Sequence, residues 1–158
     1  MVRRMDRGGI TQFIEKLCEY DGTYINVCWR SIKATHRQYG CAEIPKDVDR
    51  IFGHIESLDT DWYVRCFNDA GYYMQALDVD HDSVLSFDVE PDYSMETSPG
   101  HRQFIWLLDK QIPLEEWQNH QRELVGRYDA DGCSKSRLFF PRIPYTFNHR
   151  AGFQLEDA

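Results

Sequence analysis

No stretch of this 158-residue chain reaches the roughly 20 consecutive apolar residues needed to cross a bilayer, and the opening MVRRMDRGG lacks the apolar segment that follows in a secretory leader. The expectation is a cytoplasmic protein with no membrane partner. Paired cysteines are also missing. The five present, Cys18, Cys28, Cys41, Cys66 and Cys133, are odd in number, scattered, and contain no C-x-x-C, which argues against a disulfide framework, a zinc ribbon or a dithiol redox motif. Basic charge is scarce: 18 Lys and Arg stand against 26 Asp and Glu, for a net charge of −8. The chain as a whole therefore does not attract nucleic acid, and any such binding must come from a local basic surface or from bound metal. Internal repeats and low-complexity linkers are absent too. With 42% hydrophobic and 14% aromatic residues, the expectation is one compact domain over residues 1–158, an N-terminal part of 1–60 and a core of 62–150.

Hydrophobic periodicity gives alternating elements. Ile10 to Tyr20 carries Phe13, Ile14 and Leu17 at helical spacing, and Thr23 to Ile32 reads as a strand after the Asp21-Gly22 turn. Pro45 opens a second helix with Val48, Ile51, Phe52, Ile55 and Leu58 on one face. Trp62 to Phe67 and Tyr72 to Asp80 form an expected hairpin around Asn68 to Gly71, and Met95 to Thr97 with Gln103 to Leu108 form another around Ser98-Pro99-Gly100. Pro113 to Tyr128 is an amphipathic helix on Leu114, Trp117, Leu124, Val125 and Tyr128, and Arg137 to Phe153 is strand and loop. The fold class is α+β, an antiparallel sheet with helices packed on one face.

Three segments carry chemistry. In YYMQALDVDHD an apolar strand ends in Asp78, Asp80 and Asp82, which alternation places on one face roughly 6.8 Å apart. Neighbouring carboxylates at that spacing repel by on the order of 2.5 kcal/mol at an effective dielectric near 20, and a divalent cation would reverse the sign. Alone, the same run also suits an acidic, solvated turn. METSPGHRQFIWLLD offers Ser98, Gly100, His101 and Arg102 at a turn whose N–H groups, hydroxyl and guanidinium suit phosphate oxygens, although Ser-Pro-Gly is ordinary turn chemistry. RLFFPRIPYTFNHR gathers Arg137, Arg142, His149 and Arg150 among aromatics, a composition that suits a nucleotide or single strand as well as a core.

In this order the segments resemble the catalytic core of the archaeo-eukaryotic primase superfamily, in particular RepB-type plasmid and phage primase and primase-polymerase domains. The acidic ALDVDHD strand, the TSPGHRQFIW turn and strand, a helix and then R-x-P-x-T-F-N-H-R span roughly Trp62 to Arg150. The resemblance implies an RRM-like sheet and two-metal nucleotidyl transfer with Mg²⁺ or Mn²⁺ held by Asp78, Asp80 and a third acid after the long helix. Asp131 is preferred over Asp129 for that third position, with Asp82 a substitute on the strand. Ser98, His101, Arg102 and Gln103 would cradle the triphosphate of an NTP or dNTP, and Arg142, His149 and Arg150 would meet triphosphate or template. The implied partners are a single-stranded DNA template and a separate replicative helicase.

The chain departs from that pattern in two places. The family's S-x-x-x-x-H falls on Ser98 and Gln103, so glutamine stands where histidine is expected, with His101 two residues earlier on the same strand face. Pro144-Tyr145-Thr146 replaces the usual Pro-Gly-Thr. A catalytically silent primase-like module for replication initiation is the alternative that Gln103 and the small size of the chain favour. VDHDSVL also resembles the D-x-D strand end of haloacid-dehalogenase-type phosphatases, which implies Asp80 as nucleophile, Asp82 as acid and base, and Mg²⁺ between them. Against that reading, the motif lies mid-chain with only 76 residues after it.

Overall fold

The computed structural model describes residues 7–17, 19, 24–29, 35–40, 60–136, 139, 141–144, 147–148 and 153–154. The expected helix after Pro45, and Arg137, His149 and Arg150, lie outside the described residues. The described elements are α1 (Arg7–Leu17), β1 (Tyr24–Trp29), β2 (Thr35–Gly40), β3 (Thr60–Val64), β4 (Phe67–Asn68), β5 (Gly71–Val79), β6 (Tyr93–Ser98), β7 (His101–Ile112), α2 (Leu114–Tyr128), a 3₁₀ turn (Gly132–Lys135), β8 (Phe147–Asn148) and β9 (Phe153–Gln154). Every described strand pair is antiparallel, in sheets of order β2-β1-β3, β4-β5-β7-β6 and β8-β9. The α+β class and the antiparallel sheet are as expected; helices on one face alone are not, because α1 packs on one face of the central sheet and the C-terminal half of α2 on the other.

The central sheet is built on β5 and β7, whose register pairs Ala76 with Ile105, Leu77 with Phe104 and Asp78 with Gln103. Alternation then assigns two faces. Met74, Ala76, Met95 and Ile105 bury against Ile10, Phe13, Ile14 and Leu17 of α1 and against Trp62, Val64 and Ile143. Phe13 meets Tyr93 edge-on at 4.9 Å. On the other face Leu77, Val79, Phe104 and Trp106 pack with Tyr128, Leu124 and Val125 of α2 and with Leu85 and Phe87. Both faces are thus covered, which explains why β5 reads as a nearly continuous apolar run.

Two local expectations change. Trp62 does not join a hairpin with β5: β3 pairs with β1, and only Phe67–Asn68 pairs with Tyr72 and Gly71 across a two-residue turn. Asn68 secures that turn, its Oδ1 accepting from Ala70 N at 2.9 Å and Gln111 Nε2 at 2.6 Å. Gly71 is required there, since its φ is +130° and a Cβ would stand 2.7 Å from Ile112 O. In α2, Leu114 is 37% exposed while the polar Gln121 is fully buried beside Trp117 and Tyr128. The reason lies in what α2 covers.

Among the described residues, the edge of β5 away from β7 has no strand beside it from Met74 to Asp78, because β4 ends after two residues. Unpaired edge groups would either be desolvated or recruit another chain. Here side chains close the edge. Trp117 Nε1 donates to Met74 O at 2.9 Å, Gln121 Nε2 to Ala76 O and Ser134 O at 2.8 Å each, and Asp78 N donates to Ser134 Oγ at 3.0 Å. Asp131 N completes the series by donating to Asp78 O at 2.7 Å. The end of α2 and the 3₁₀ turn are therefore fixed against the acidic end of β5. Among the described residues no helix is long and apolar enough to cross a membrane.

Candidate active site

Asp78 is the penultimate residue of β5 and Asp80 lies one residue beyond the strand. Across the register, Asp78 pairs with Gln103, and β7 continues back to His101 at the β6–β7 turn. That turn is Pro99-Gly100, with Gly100 at φ +79°, the left-handed position a type II turn demands after proline. Thr97 Oγ1 donates to His101 O at 3.3 Å and braces it. Residues 101 and 103 share a face, and His101 Nδ1 sits 2.7 Å from Asp80 Oδ1. An imidazole is thus delivered to the acidic strand end, at 101 and not at 103.

The third carboxylate comes from the far side of α2. The helix ends at Asp129 in a left-handed conformation, φ 50° and ψ 46°, and the chain then turns so that Asp131 caps the 3₁₀ turn, its Oδ1 accepting from Cys133 N at 2.8 Å. Of the two acids in YDADG, the structure brings Asp131 beside Asp78 and Asp80 and leaves Asp129 as a helix cap. Carboxylate oxygens of Asp78 and Asp131 and the Cys133 sulfur lie within 4.8 Å of one another. The Cys133 Sγ is 4.0 Å from Asp78 Oδ2. No pattern in the sequence singled out Cys133. Its only signal is position, two residues after an acid that caps a turn.

Electrostatics follow from this crowding. Burial first, then the charges of Asp80 and Asp131, push the Asp78 carboxyl up from 3.8 to about 6, against the opposing pull of His101 and Arg142. Asp131 is held below the ordinary carboxylate range, chiefly by the Cys133 backbone N–H and then by its contact with the Asp80 carboxyl. Partial burial of the sulfur, followed by hydrogen bonding to and the charge of Asp131, raises the Cys133 thiol to about 12. Oxygen donors gathered at mutual electrostatic expense are a donor set that fits a divalent cation.

The remaining expected residues divide. Gln103 is buried and its Oε1 accepts from Arg142 N at 3.0 Å. Arg142 bridges to Tyr63 of β3, its guanidinium 4.8 Å from that ring, and its positive charge is felt at Asp78. Ser98 ends β6 opposite His101. Arg102 is not brought to the site. It points to the opposite face, where its Nη2 donates to His81 O at 2.5 Å and Ser83 O at 2.9 Å and so fastens the loop after the acidic strand. Asp82 is exposed in that loop and is not among the charges that perturb Asp78, so the three-aspartate ladder stops at Asp80. The Asp80–Asp82 arrangement that a dehalogenase-type phosphatase reading needs is likewise not assembled on the strand.

No family model and no curated protein sequence matches the chain at a significant level. Solved structures do. The catalytic domain of primase RepB′, determined in complex with initiator DNA, superposes with a TM-score of 0.68 at 20% identity, covering 92% of this chain and 82% of that one. Primase RepB′ in a second structure gives the same TM-score and identity with 94% of this chain covered, which spans 56% of that longer protein. The AEP domain of the cyanophage S-2L primase-polymerase matches at TM-score 0.68 and 13% identity, over 98% of this chain and 90% of that one. The chain therefore shares the fold of the RepB′ primase catalytic domain and of the cyanophage primase-polymerase AEP domain.

Proposed function

We propose that the chain is a DNA-directed nucleotidyltransferase, a primase or primase-polymerase of a plasmid or phage replication system that joins NTPs or dNTPs along a single-stranded DNA template. The observation that carries this reading is the convergence of Asp78, Asp80 and Asp131 with His101 at one end of the β5–β7 pair. In support, one similar fold is a primase catalytic domain in complex with initiator DNA. When bound, Mg²⁺ or Mn²⁺ would supply acidification of a 3′-hydroxyl and neutralisation of phosphate charge.

The chain's own residues do the rest. Asp78, Asp80 and Asp131 would hold the ions. Asp80 fixes one ring nitrogen of His101, so the other is the one available to a triphosphate oxygen. Ser98 and the Pro99-Gly100 turn lie next to it as further donors. Gln103, engaged with the Arg142 backbone, positions Arg142 and not a phosphate. Arg142 and, from the sequence, His149 and Arg150 are the contacts for triphosphate or template, and a replicative helicase would be a separate partner. One observation favours the second reading, a non-catalytic replication module: position 103 carries a buried glutamine in structural use.

The test is nucleotide incorporation on single-stranded DNA with Mg²⁺ or Mn²⁺, with and without primer, from both nucleotide pools, beside the Asp78→Ala, Asp80→Ala double variant. Metal-dependent product that vanishes in the variant is expected. A folded wild-type protein that makes none under any condition would exclude the polymerase reading and leave the binding module.

A further inference from the structure

We infer that Cys133 is a specificity-determining metal ligand, a thiol that gives the Asp78–Asp131 site a preference for thiophilic cations, Zn²⁺ above all, over Mg²⁺. The inference rests on the metal-site reading above and names a regulator of that site. Two features set Cys133 apart from a packing cysteine. Cys66, by contrast, is buried in the core with its Sγ directed to Phe139 O at 3.7 Å. Cys133 is exposed, and the Asx turn through Asp131 Oδ1 folds its sulfur back toward both carboxylates.

The distances suit a tetrahedral ion. With Zn–S near 2.3 Å and Zn–O near 2.1 Å, a sulfur and an oxygen on the same ion stand about 3.6 Å apart. The observed separation from Asp78 Oδ2 is 4.0 Å, and the three donors span no more than 4.8 Å, so modest side-chain closure completes the set. Mg²⁺ instead demands oxygen ligands in near-octahedral geometry at about 2.1 Å, and thiolate sulfur does not serve it. Two carboxylates and one thiolate leave a fourth tetrahedral position open to water or a phosphate oxygen. On binding, the S–H bond is exchanged for S–Zn and the proton passes to solvent, with no redox change. Zinc would therefore occupy the site as a competitor of the hard cations.

Cobalt(II) is the probe, because thiolate ligation gives a charge-transfer band in the near ultraviolet and carboxylate ligation does not. The full chain titrated with Co²⁺ is expected to develop that band with saturation at a single ion, and Zn²⁺ to abolish it. Cys133→Ser and Cys133→Ala, each checked for fold by circular dichroism, should lose the band. By calorimetry they should bind Zn²⁺ at least tenfold more weakly while Mg²⁺ affinity moves less than twofold. A band that persists in both variants, or in Asp78→Asn, Asp131→Asn, overturns the inference. Co²⁺ binding to the wild type without a band overturns it while leaving the metal site standing. Failure of the wild type to bind Co²⁺, Mg²⁺ or Mn²⁺ overturns both.

Discussion

Replacing Asp78 by asparagine should make the metal-free protein more stable at neutral pH while removing its proposed activity. The side chain keeps its size and loses the charge that Asp80 and Asp131 oppose. A carboxyl whose pKa rises from 3.8 to about 6 on folding is favoured in its protonated form, so the native state binds more protons than the unfolded chain between those values. Stability from this group is then present at low pH and is lost as pH rises through that window. At 1.36 kcal/mol per pH unit, the full shift corresponds to about 3 kcal/mol, and screening of a partly exposed carboxylate brings it to about 1–2 kcal/mol. For a domain of this size that is about 3–6 °C in Tm. Thermal melts with EDTA at pH 7.5 and pH 4 provide the assay. Asp78→Asn should melt higher at pH 7.5, and the difference should shrink toward zero at pH 4. Added Mg²⁺ or Mn²⁺ should raise the wild type selectively and narrow the neutral-pH gap. A variant no more stable than wild type at pH 7.5, or one whose advantage is the same at pH 4, would refute the account of charge crowding.

Three further outcomes are expected. Trp117→Phe keeps an aromatic against Tyr72 but leaves Met74 O without its donor, and should lower stability by about 1–3 kcal/mol in urea titration; a change within about 0.3 kcal/mol would show that the edge bond is dispensable. Arg102→Ala frees the carbonyls of His81 and Ser83, so loop 81–83 should become the first site of limited proteolysis while Mg²⁺ affinity holds within about twofold; an unchanged cleavage pattern would contradict that role. His101→Asn should reduce incorporation by tenfold or more with metal affinity changed far less, and a larger effect from Gln103→Asn than from His101→Asn would place the functional imidazole wrongly.

What was legible in the sequence was local. The apolar run of β5, the Ser-Pro-Gly turn before β7 and the helical period of α2 each announce themselves within about a dozen residues. Pairing across distance was not legible. Trp62 to Phe67 has strand chemistry, but nothing within it says that Trp62 joins β1 and only Phe67 joins β5. Trp117, Leu124, Val125 and Tyr128 keep the expected face of α2, but Leu114 is exposed and Gln121 buried because the helix covers an open strand edge, and such an edge rewards an amide donor over another methyl group. A glutamine between Trp117 and Tyr128 on an apolar stripe was the available sign. The choice between Asp129 and Asp131 likewise turns on backbone geometry: one residue adopts the left-handed helix end, and the other presents its N–H to Asp78 O.

The same open edge explains how a strand can carry charge at its end. Another strand beside Met74 to Asp78 would have placed side chains of its own beside the carboxylate. A side-chain ladder of Trp117, Gln121 and Ser134 satisfies the edge and yet ends in a turn whose next groups are Asp131 and Cys133. The position of the histidine follows from depth along the strand pair. Position 103 pairs with Asp78 and is 6% exposed, where an imidazolium would be desolvated and a neutral amide can be satisfied by Arg142 N. Position 101 shares its face but stands at the solvent end, where Asp80 holds the ring without burying it. Glutamine at 103 with histidine at 101 is therefore one arrangement, a structural amide inside and an imidazole at the solvent end of the same face, beside the acidic end of β5.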